Sequence, residues 1–326
     1  MTDSIHICTA ADKNYKLPLC CLINSLLRNC NAHKYTLHIL FDGLSKRFQN
    51  RLHTMCYDSN ICLNFIDMQT YDFDFHGLDM QHWTKTIFYR IMIPDIFKNL
   101  DRILYIDCDT LVLQDLFSFF YTPLDSKTNM AMVVDRFSYR SRIPVLNTKN
   151  YFNSGMILFD IPKCRNDNFS MKCIQWIHNN PKLAKFPDQD AINVVCDGKI
   201  LRVSNLYNKQ FATTDTIKID TKPFIIHFLS AIKPWMWKAP VKYSQLYRSY
   251  TPNKIQSIII LAKQLVQKTR HLCFHTKYGT FLEKTTVKEY KKYYIFNVCI
   301  HTKHFKHRHN DLIQMLQQNK SKQNAN

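Results

Sequence analysis

The stretch RILYIDCDTLVLQDL, residues 102–116, joins an apolar run to two closely spaced acids. Ile103, Leu104, Tyr105 and Ile106 read as a buried β-strand, after which the chain presents Asp107 and Asp109 with one residue between them. On an extended chain, side chains at i and i+2 point to the same side. Two carboxylates so placed repel one another, so a positive charge is expected between them. Carboxylate oxygens suit a hard cation such as Mg²⁺ or Mn²⁺, but two ligands leave its coordination incomplete. An Asp-x-Asp also arises by chance in solvated turns, so its company elsewhere in the chain has to decide.

Upstream, SIHICTA (4–10), YTLHILFD (35–42) and ICLNFIDM (61–68) are β-rich runs. LPLCCLINSLLRN (17–29) and SKRFQNRLHTMCYDS (45–59) between them have helical spacing, with Pro18 tolerable in a first turn and Ser45 placed as a cap. TKTIFYRIMIPDIF (84–97) reads as a helix that Pro94 should end or kink. Downstream, MAMVVD (130–135), SGMILFD (154–160) and FIIHF (224–228) are expected strands, and DQDAINVVC (188–196) an expected helix. This alternation predicts an α/β fold, a mainly parallel Rossmann-like sheet with helices on both faces. Ligands of such sheets bind beyond the carboxyl ends of the strands, where Asp12 and Asp107 fall.

The chain has 326 residues, enough for one large domain or two small ones. Its formal charge of +19 is unevenly spread: residues 251–326 carry 14 Lys and Arg against 3 Asp and Glu, a net +11, which leaves +8 on residues 1–250. A catalytic domain over 1–250 and a basic, aromatic C-terminal extension over 251–326 are therefore expected. NKIQSIIILAKQLVQK (253–268) is an amphipathic helix in that extension, and about the last ten residues are expected to be disordered. Such charge implies an anionic partner. The twelve cysteines show no C-x-x-C pair, which favours free thiols in a reducing compartment. No secretory leader is evident at the N-terminus, and no apolar run approaches the ~20 residues that cross a bilayer. The expectation is a cytoplasmic protein, attached at most peripherally to a membrane.

Five segments in order carry a resemblance. TAADKNY (9–15), FYRIMIPDIFKNLDRILYIDCDTLV (88–112), YFNSGMILFD (151–160), FPDQDAIN (186–193) and HFLSAIKPW (227–235) resemble the blocks of glycosyltransferase family 8, the retaining sugar-nucleotide enzymes with a GT-A fold that include lipopolysaccharide glucosyl- and galactosyltransferases. The resemblance implies that Asp107, Asp109 and His227 bind a metal, Mn²⁺ rather than Mg²⁺ given the imidazole. By itself His227 would read as a core histidine. Lys233 would contact the diphosphate, and Ala10, Asp12 and Asn14 would hold the uridine. Arg90, Asn153, Ser154 and Asp188 would address the donor sugar, Gln189 would sit under the anomeric carbon, and Asp135 would face the acceptor. Arg90 also stands out physically, since it interrupts an apolar run and needs a partner if buried. The family's closing glycine is Ser230 here, which alters the expected grip on phosphate.

The implied reaction moves glucose or galactose from a UDP-sugar to a saccharide acceptor, of lipopolysaccharide core type and lipid-linked, or alternatively to a glycoprotein adhesin. Gln189 is a poor nucleophile, so a double displacement would have to use Asp188 or Asp190, and front-face attack without a covalent intermediate is the favoured expectation. A nucleotidyl-transferring rival would require a Gly-rich phosphate loop, and TAADKNYKLP (9–18) contains no glycine. A non-enzymatic nucleic-acid binder would also suit the basic pI. The enzyme reading expects no nucleic acid and assigns the extension to an anionic membrane surface, at the inner face of the cell membrane.

Overall fold

A strand buried on both faces shows no alternation of polar and apolar residues, and the run at 103–106 is such a strand. Leu104 and Ile106 enter one hydrophobic cluster while Ile103 and Tyr105 enter a second, on the opposite face of the sheet. The computed structural model describes residues 4–71, 84–215, 222–236 and 239–252. The amphipathic helix expected over 253–268, the rest of the basic extension and its disordered end lie outside the described residues.

Ten strands are seen among the described residues: β1 (Ile5–Asp12), β2 (Tyr35–Asp42), β3 (Ile61–Asp67), β4 (Arg102–Ile106), β5 (Thr110–Val112), β6 (Met130–Val134), β7 (Phe152–Asp160), β8 (Ile200–Arg202), β9 (Lys209–Phe211) and β10 (Ile225–Phe228). The helices are α1 (Lys16–Asn29), α2 (Lys46–Cys56), α3 (Ile93–Ile96), α4 (Phe117–Phe120), α5 (Tyr139–Leu146), α6 (Ile161–Asn166), α7 (Phe169–Asn179), α8 (Pro187–Val195) and α9 (Val241–Ser249). The main sheet has the order β3-β2-β1-β4-β7-β6-β8. Only β7 runs against its neighbours, so the expected mainly parallel α/β sheet is the one observed. Ser45 caps α2 as expected, accepting from Phe48 N at 3.4 Å.

Two local expectations differ. Residues Lys85–Met92 form a 3-10 helix, and only Ile93–Ile96 is α-helical. Phe88, Tyr89, Arg90 and Ile91 are all buried, packed among β1, β2, α7 and α8. Four consecutive buried residues do not fit a single amphipathic α-face, and the tighter helix directs them around the whole circumference. Pro94 then lies in the first turn of α3, where its missing N–H costs nothing, rather than at a helix end. The second difference is a small sheet ordered β5-β10-β9, whose short strands carry too few residues for a periodic signal. Its cluster of Leu111, Phe211, Ile226, Phe228, Tyr243 and Tyr247 ties α9 to the strand that bears His227.

A polar row crosses the outer strands: His6 Nδ1 lies 2.9 Å from His38 Nε2, and His38 Nδ1 lies 2.9 Å from Asn64 Nδ2. Burial, with His6 beside it, pushes His38 from 6.5 down to about 4. The fold therefore favours neutral His38; its contribution is complete above about 6.5 and is lost as pH falls through 4. The loss amounts to at most about 3 kcal/mol. Denaturant titrations of wild type and His38→Gln between pH 7 and 4 test this. The variant is expected to lose stability less steeply on acidification, and parallel slopes would refute the assignment.

Candidate functional site

Strand β4 delivers Asp107 to the carboxyl edge of the main sheet, and the chain turns there instead of continuing extended. Thr110 Oγ1 donates to Asp107 O at 2.7 Å and closes the turn, which passes the chain into β5 of the second sheet. Asp107 and Asp109 therefore face one centre because of a turn between two sheets, not because of strand alternation. Two further backbone bonds hold it: Asp107 N donates to Gly155 O at 2.9 Å, and Phe228 N donates to Asp109 O at 3.1 Å. The first exists because β7 runs antiparallel to β4, which brings the start of β7 to the end of β4. The second places His227 directly above the turn.

His227 Nε2 lies 3.2 Å from Asp109 Oδ1 and 3.6 Å from Asp107 Oδ2. Among the described residues these three form the one group of acids, cysteines and histidines arranged to hold a metal ion. Gly155 forms the floor: a Cβ there would sit 2.1 Å from His227 Cε1 and 2.7 Å from Asp107 Oδ2. One nitrogen and two carboxylates, converging over a position that only glycine can occupy, fit a small divalent cation.

The positive charges expected near the acids are present. Lys233 Nζ donates to Asp109 Oδ2 at 2.6 Å and to Phe228 O at 2.7 Å. Arg90 Nη2 lies 2.9 Å from Asp107 Oδ1, and its Nε lies 3.2 Å from Asp188 Oδ2. Arg90 Nη1 donates to Ser154 O at 2.8 Å and to Ser154 Oγ at 2.9 Å, so the buried guanidinium is fully partnered. Burial opposes its charge, but Asp107, Tyr105 and Asp188 outweigh burial and raise its pKa. Burial likewise pushes Asp109 up, yet Lys233 and His227 prevail and hold its carboxyl well below the usual range. At Asp188 burial wins over Arg90, and its carboxyl is raised.

Beyond Arg90 the site continues into a second polar group. Ser154 Oγ donates to Asp188 Oδ2 at 3.0 Å, and Ser154 N donates to Gln189 Oε1 at 3.0 Å. Asn153 Nδ2 reaches Asp135 Oδ2 at 3.1 Å and Gln189 Oε1 at 3.2 Å, while Gln189 Nε2 donates to Asp135 Oδ2 at 3.2 Å. Asp190, the alternative nucleophile of a double displacement, is fully buried. It accepts from Arg142 Nε at 3.1 Å, Arg142 Nη2 at 2.6 Å, Tyr151 Oη at 2.6 Å and Phe186 N at 2.9 Å, so it anchors α8 and has no lone pair to offer a substrate.

Ala10, Asp12 and Asn14 lie at the end of β1. Asp12 Oδ1 accepts from Asn14 N at 2.7 Å, and Cys108 Sγ donates to Ala10 O at 3.0 Å, which ties this strand end to the acidic turn. Ser230 Oγ accepts from Thr213 N at 2.8 Å, which joins the loop after β10 to the loop after β9. Sequence reasoning missed three residues. Tyr105 donates to Asp107 Oδ1 at 2.6 Å, Gly155 makes room for the centre, and Asn208 contacts His227. Gly155 stands inside a quoted motif and could have been singled out; Asn208, in SNLYNKQF (204–211), has no local signal at all.

Comparison with known proteins identifies the fold and the family. A galactosyltransferase, LgtC, solved with donor and acceptor sugar analogues, shares the fold with a TM-score of 0.64 at 19% identity, over 76% of this chain and 95% of that one. The chain is 28% identical over 269 residues to general stress protein A of Bacillus subtilis, covering 76% of this chain and 92% of the relative. It is 25% identical over 305 residues to a lipopolysaccharide 1,3-galactosyltransferase of Salmonella typhimurium, covering 85% of this chain and 88% of the relative. The model of glycosyl transferase family 8 matches residues 6–239, from the first strand to the turn after Lys233, and the chain belongs to that family.

Proposed function

We propose that this glycosyltransferase moves a hexose, glucose or galactose, from a UDP-sugar to a saccharide acceptor, with retention of anomeric configuration. The observation that carries the reading is the placement of Asp107, Asp109, His227 and Lys233 beside Arg90, Asp188 and Gln189, so that cation-binding and hydroxyl-binding groups share one edge of the sheet. A divalent cation held by Asp107, Asp109 and His227, Mn²⁺ with Mg²⁺ as substitute, would neutralise a diphosphate leaving group. Lys233 would leave Asp109 for a phosphate oxygen and add a second positive charge. Arg90, Asn153, Ser154 and Asp188 would bind the sugar hydroxyls, and Ala10, Asp12 and Asn14 the uridine.

The hydrogen bonding around α8 favours front-face attack. Gln189 is an amide, a poor nucleophile whose Oε1 already accepts from Ser154 N and Asn153 Nδ2. The Asp190 carboxylate is saturated by four donors and so is not available to form a glycosyl ester. Asp188 is engaged by Arg90 and Ser154. Asp135, beside Gln189, would receive the acceptor hydroxyl. The relatives' names, a lipopolysaccharide galactosyltransferase and a lipopolysaccharide glucosyltransferase, support a lipopolysaccharide acceptor. Action at the inner face of the cell membrane, with residues 251–326 as the docking segment, is part of the proposal and rests on the net charge of +11 in that segment. No helix among the described residues is long and apolar enough to cross a membrane.

A donor screen tests the proposal. UDP release from UDP-glucose and UDP-galactose is measured with and without Mn²⁺, and the anomeric configuration of the product is read from proton couplings. Metal-dependent turnover of one donor with an α-linked product is expected. Full activity after exhaustive chelation, or an inverted product, would overturn the corresponding part.

A further inference from the structure

We propose that Asn208 is a positioning residue that fixes the tautomer of His227 and joins the cation-binding centre to the reaction centre through a hydrogen-bond chain of defined polarity. The inference deepens the proposed function and rests on it for the cation. Asn208 closes the short 3-10 turn Asn205–Asn208 and is buried, with 1% of its surface exposed. Its Oδ1 lies 3.1 Å from His227 Nδ1, and its Nδ2 donates to Asn153 Oδ1 at 2.9 Å.

Amide oxygen and nitrogen are interchangeable by shape alone, so the polarity must come from groups that cannot be reversed. Two such groups flank Asn153. The backbone N–H of Gly155 donates to Asn153 Oδ1 at 3.1 Å, and the Asp135 carboxylate accepts from Asn153 Nδ2 at 3.1 Å. Asn153 therefore turns its oxygen toward Asn208, and Asn208 must answer with its NH₂. The Oδ1 of Asn208 then faces His227, which leaves Nδ1 as the donor and places the proton there. Nε2, the nitrogen that faces Asp107 and Asp109, is the one left to bind a cation.

At the other end the same logic fixes Gln189. Ser154 N–H directs Oε1 inward, and Nε2 donates to Asp135 at 3.2 Å. One chain, His227–Asn208–Asn153–Asp135–Gln189, thus runs from the cation-binding nitrogen to the residues assigned to the reacting carbon and the acceptor. Every link is buried, and reversing one amide would oppose two acceptors or two donors at its neighbour.

The test uses the full-length protein and Mn²⁺ alone as probe. In the metal-free protein at pH 8, ¹⁵N NMR of the His227 ring, assigned by its loss in His227→Gln, is expected to show the proton on Nδ1; a proton on Nε2 alone would overturn the tautomer assignment. Asn208→Leu is expected to weaken Mn²⁺ binding about 10–100-fold. Asn208→Asp separates the two roles, because its carboxylate still accepts from Nδ1–H but cannot donate to Asn153. Its Mn²⁺ affinity should stay at or above that of wild type while kcat falls about tenfold or more at unchanged KM for the donor. Wild-type Mn²⁺ affinity in a folded Asn208→Leu, or wild-type kcat in Asn208→Asp, would overturn the proposal. Were the wild-type protein to bind no Mn²⁺, the metal assignment would fail instead, and the ring proton measured without metal would still decide the role of Asn208.

Discussion

Gly155→Ala is expected to abolish transfer and Mn²⁺ binding together. The added methyl would lie 2.1 Å from His227 Cε1, 2.7 Å from His227 Nδ1 and 2.7 Å from Asp107 Oδ2. Neither neighbour can yield without loss. His227 is held by Asn208, and Asp107 by Arg90 and Tyr105. The backbone cannot retreat either, because Gly155 O accepts from Asp107 N across the β4–β7 pair. Displacing a reacting group by about 1 Å costs on the order of 100-fold in rate, and here two of the residues proposed to hold the cation would move at once. Overpacking should add a destabilisation of about 1–3 kcal/mol. The checks are calorimetric Mn²⁺ titration and turnover of the purified variant; a variant that binds Mn²⁺ like wild type would contradict the floor assigned to Gly155.

Alanine at Asp107 or Asp109 should eliminate turnover in both cases but affect stability unequally. Asp109 pairs with Lys233, which retains Phe228 O and can reach solvent, so Asp109→Ala should melt close to wild type. Asp107 is the nearest acidic partner of a buried arginine. Its removal leaves Arg90 with Asp188 alone among carboxylates and should cost about 3 kcal/mol. Thermal melts and UDP release, measured side by side, separate the two effects. Appreciable turnover by either variant in the presence of chelator would remove the acidic pair from the mechanism.

How much of this was legible in the sequence varies with the range of the interaction. The strand at 103–106 was readable because burial on both faces leaves an unbroken apolar run, and the one at 225–228 because only His227 interrupts such a run. The single helix expected over 84–97 does not form, for a related reason. Phe88–Ile91 are buried on all sides, so their apolar character said nothing about periodicity, and tertiary contacts selected the 3-10 form. Arg90 stands out in the sequence, since a guanidinium inside an apolar run needs a partner once buried. Which acids it found, Asp107 and Asp188, depended on elements 17 and 98 residues away along the chain.

By itself, then, the sequence determined the α/β class and the order of the longer strands and helices, because these follow from local patterning, and five motifs in order pointed to the chemical types proposed for the site. The short β5, β8 and β9 and the helices α4–α7 and α9 carried no such signal. Only the tertiary structure decided that Asp107 and Asp109 meet through a turn between two sheets, that β7 runs backwards and brings Asn153–Gly155 to the end of β4, and that Asn208 stands behind His227. The physical reason is the same in each case. Strand direction, sheet switching and the polarity of a buried hydrogen-bond chain are set by contacts between segments far apart in sequence, and no residue's own identity encodes the partner it will meet.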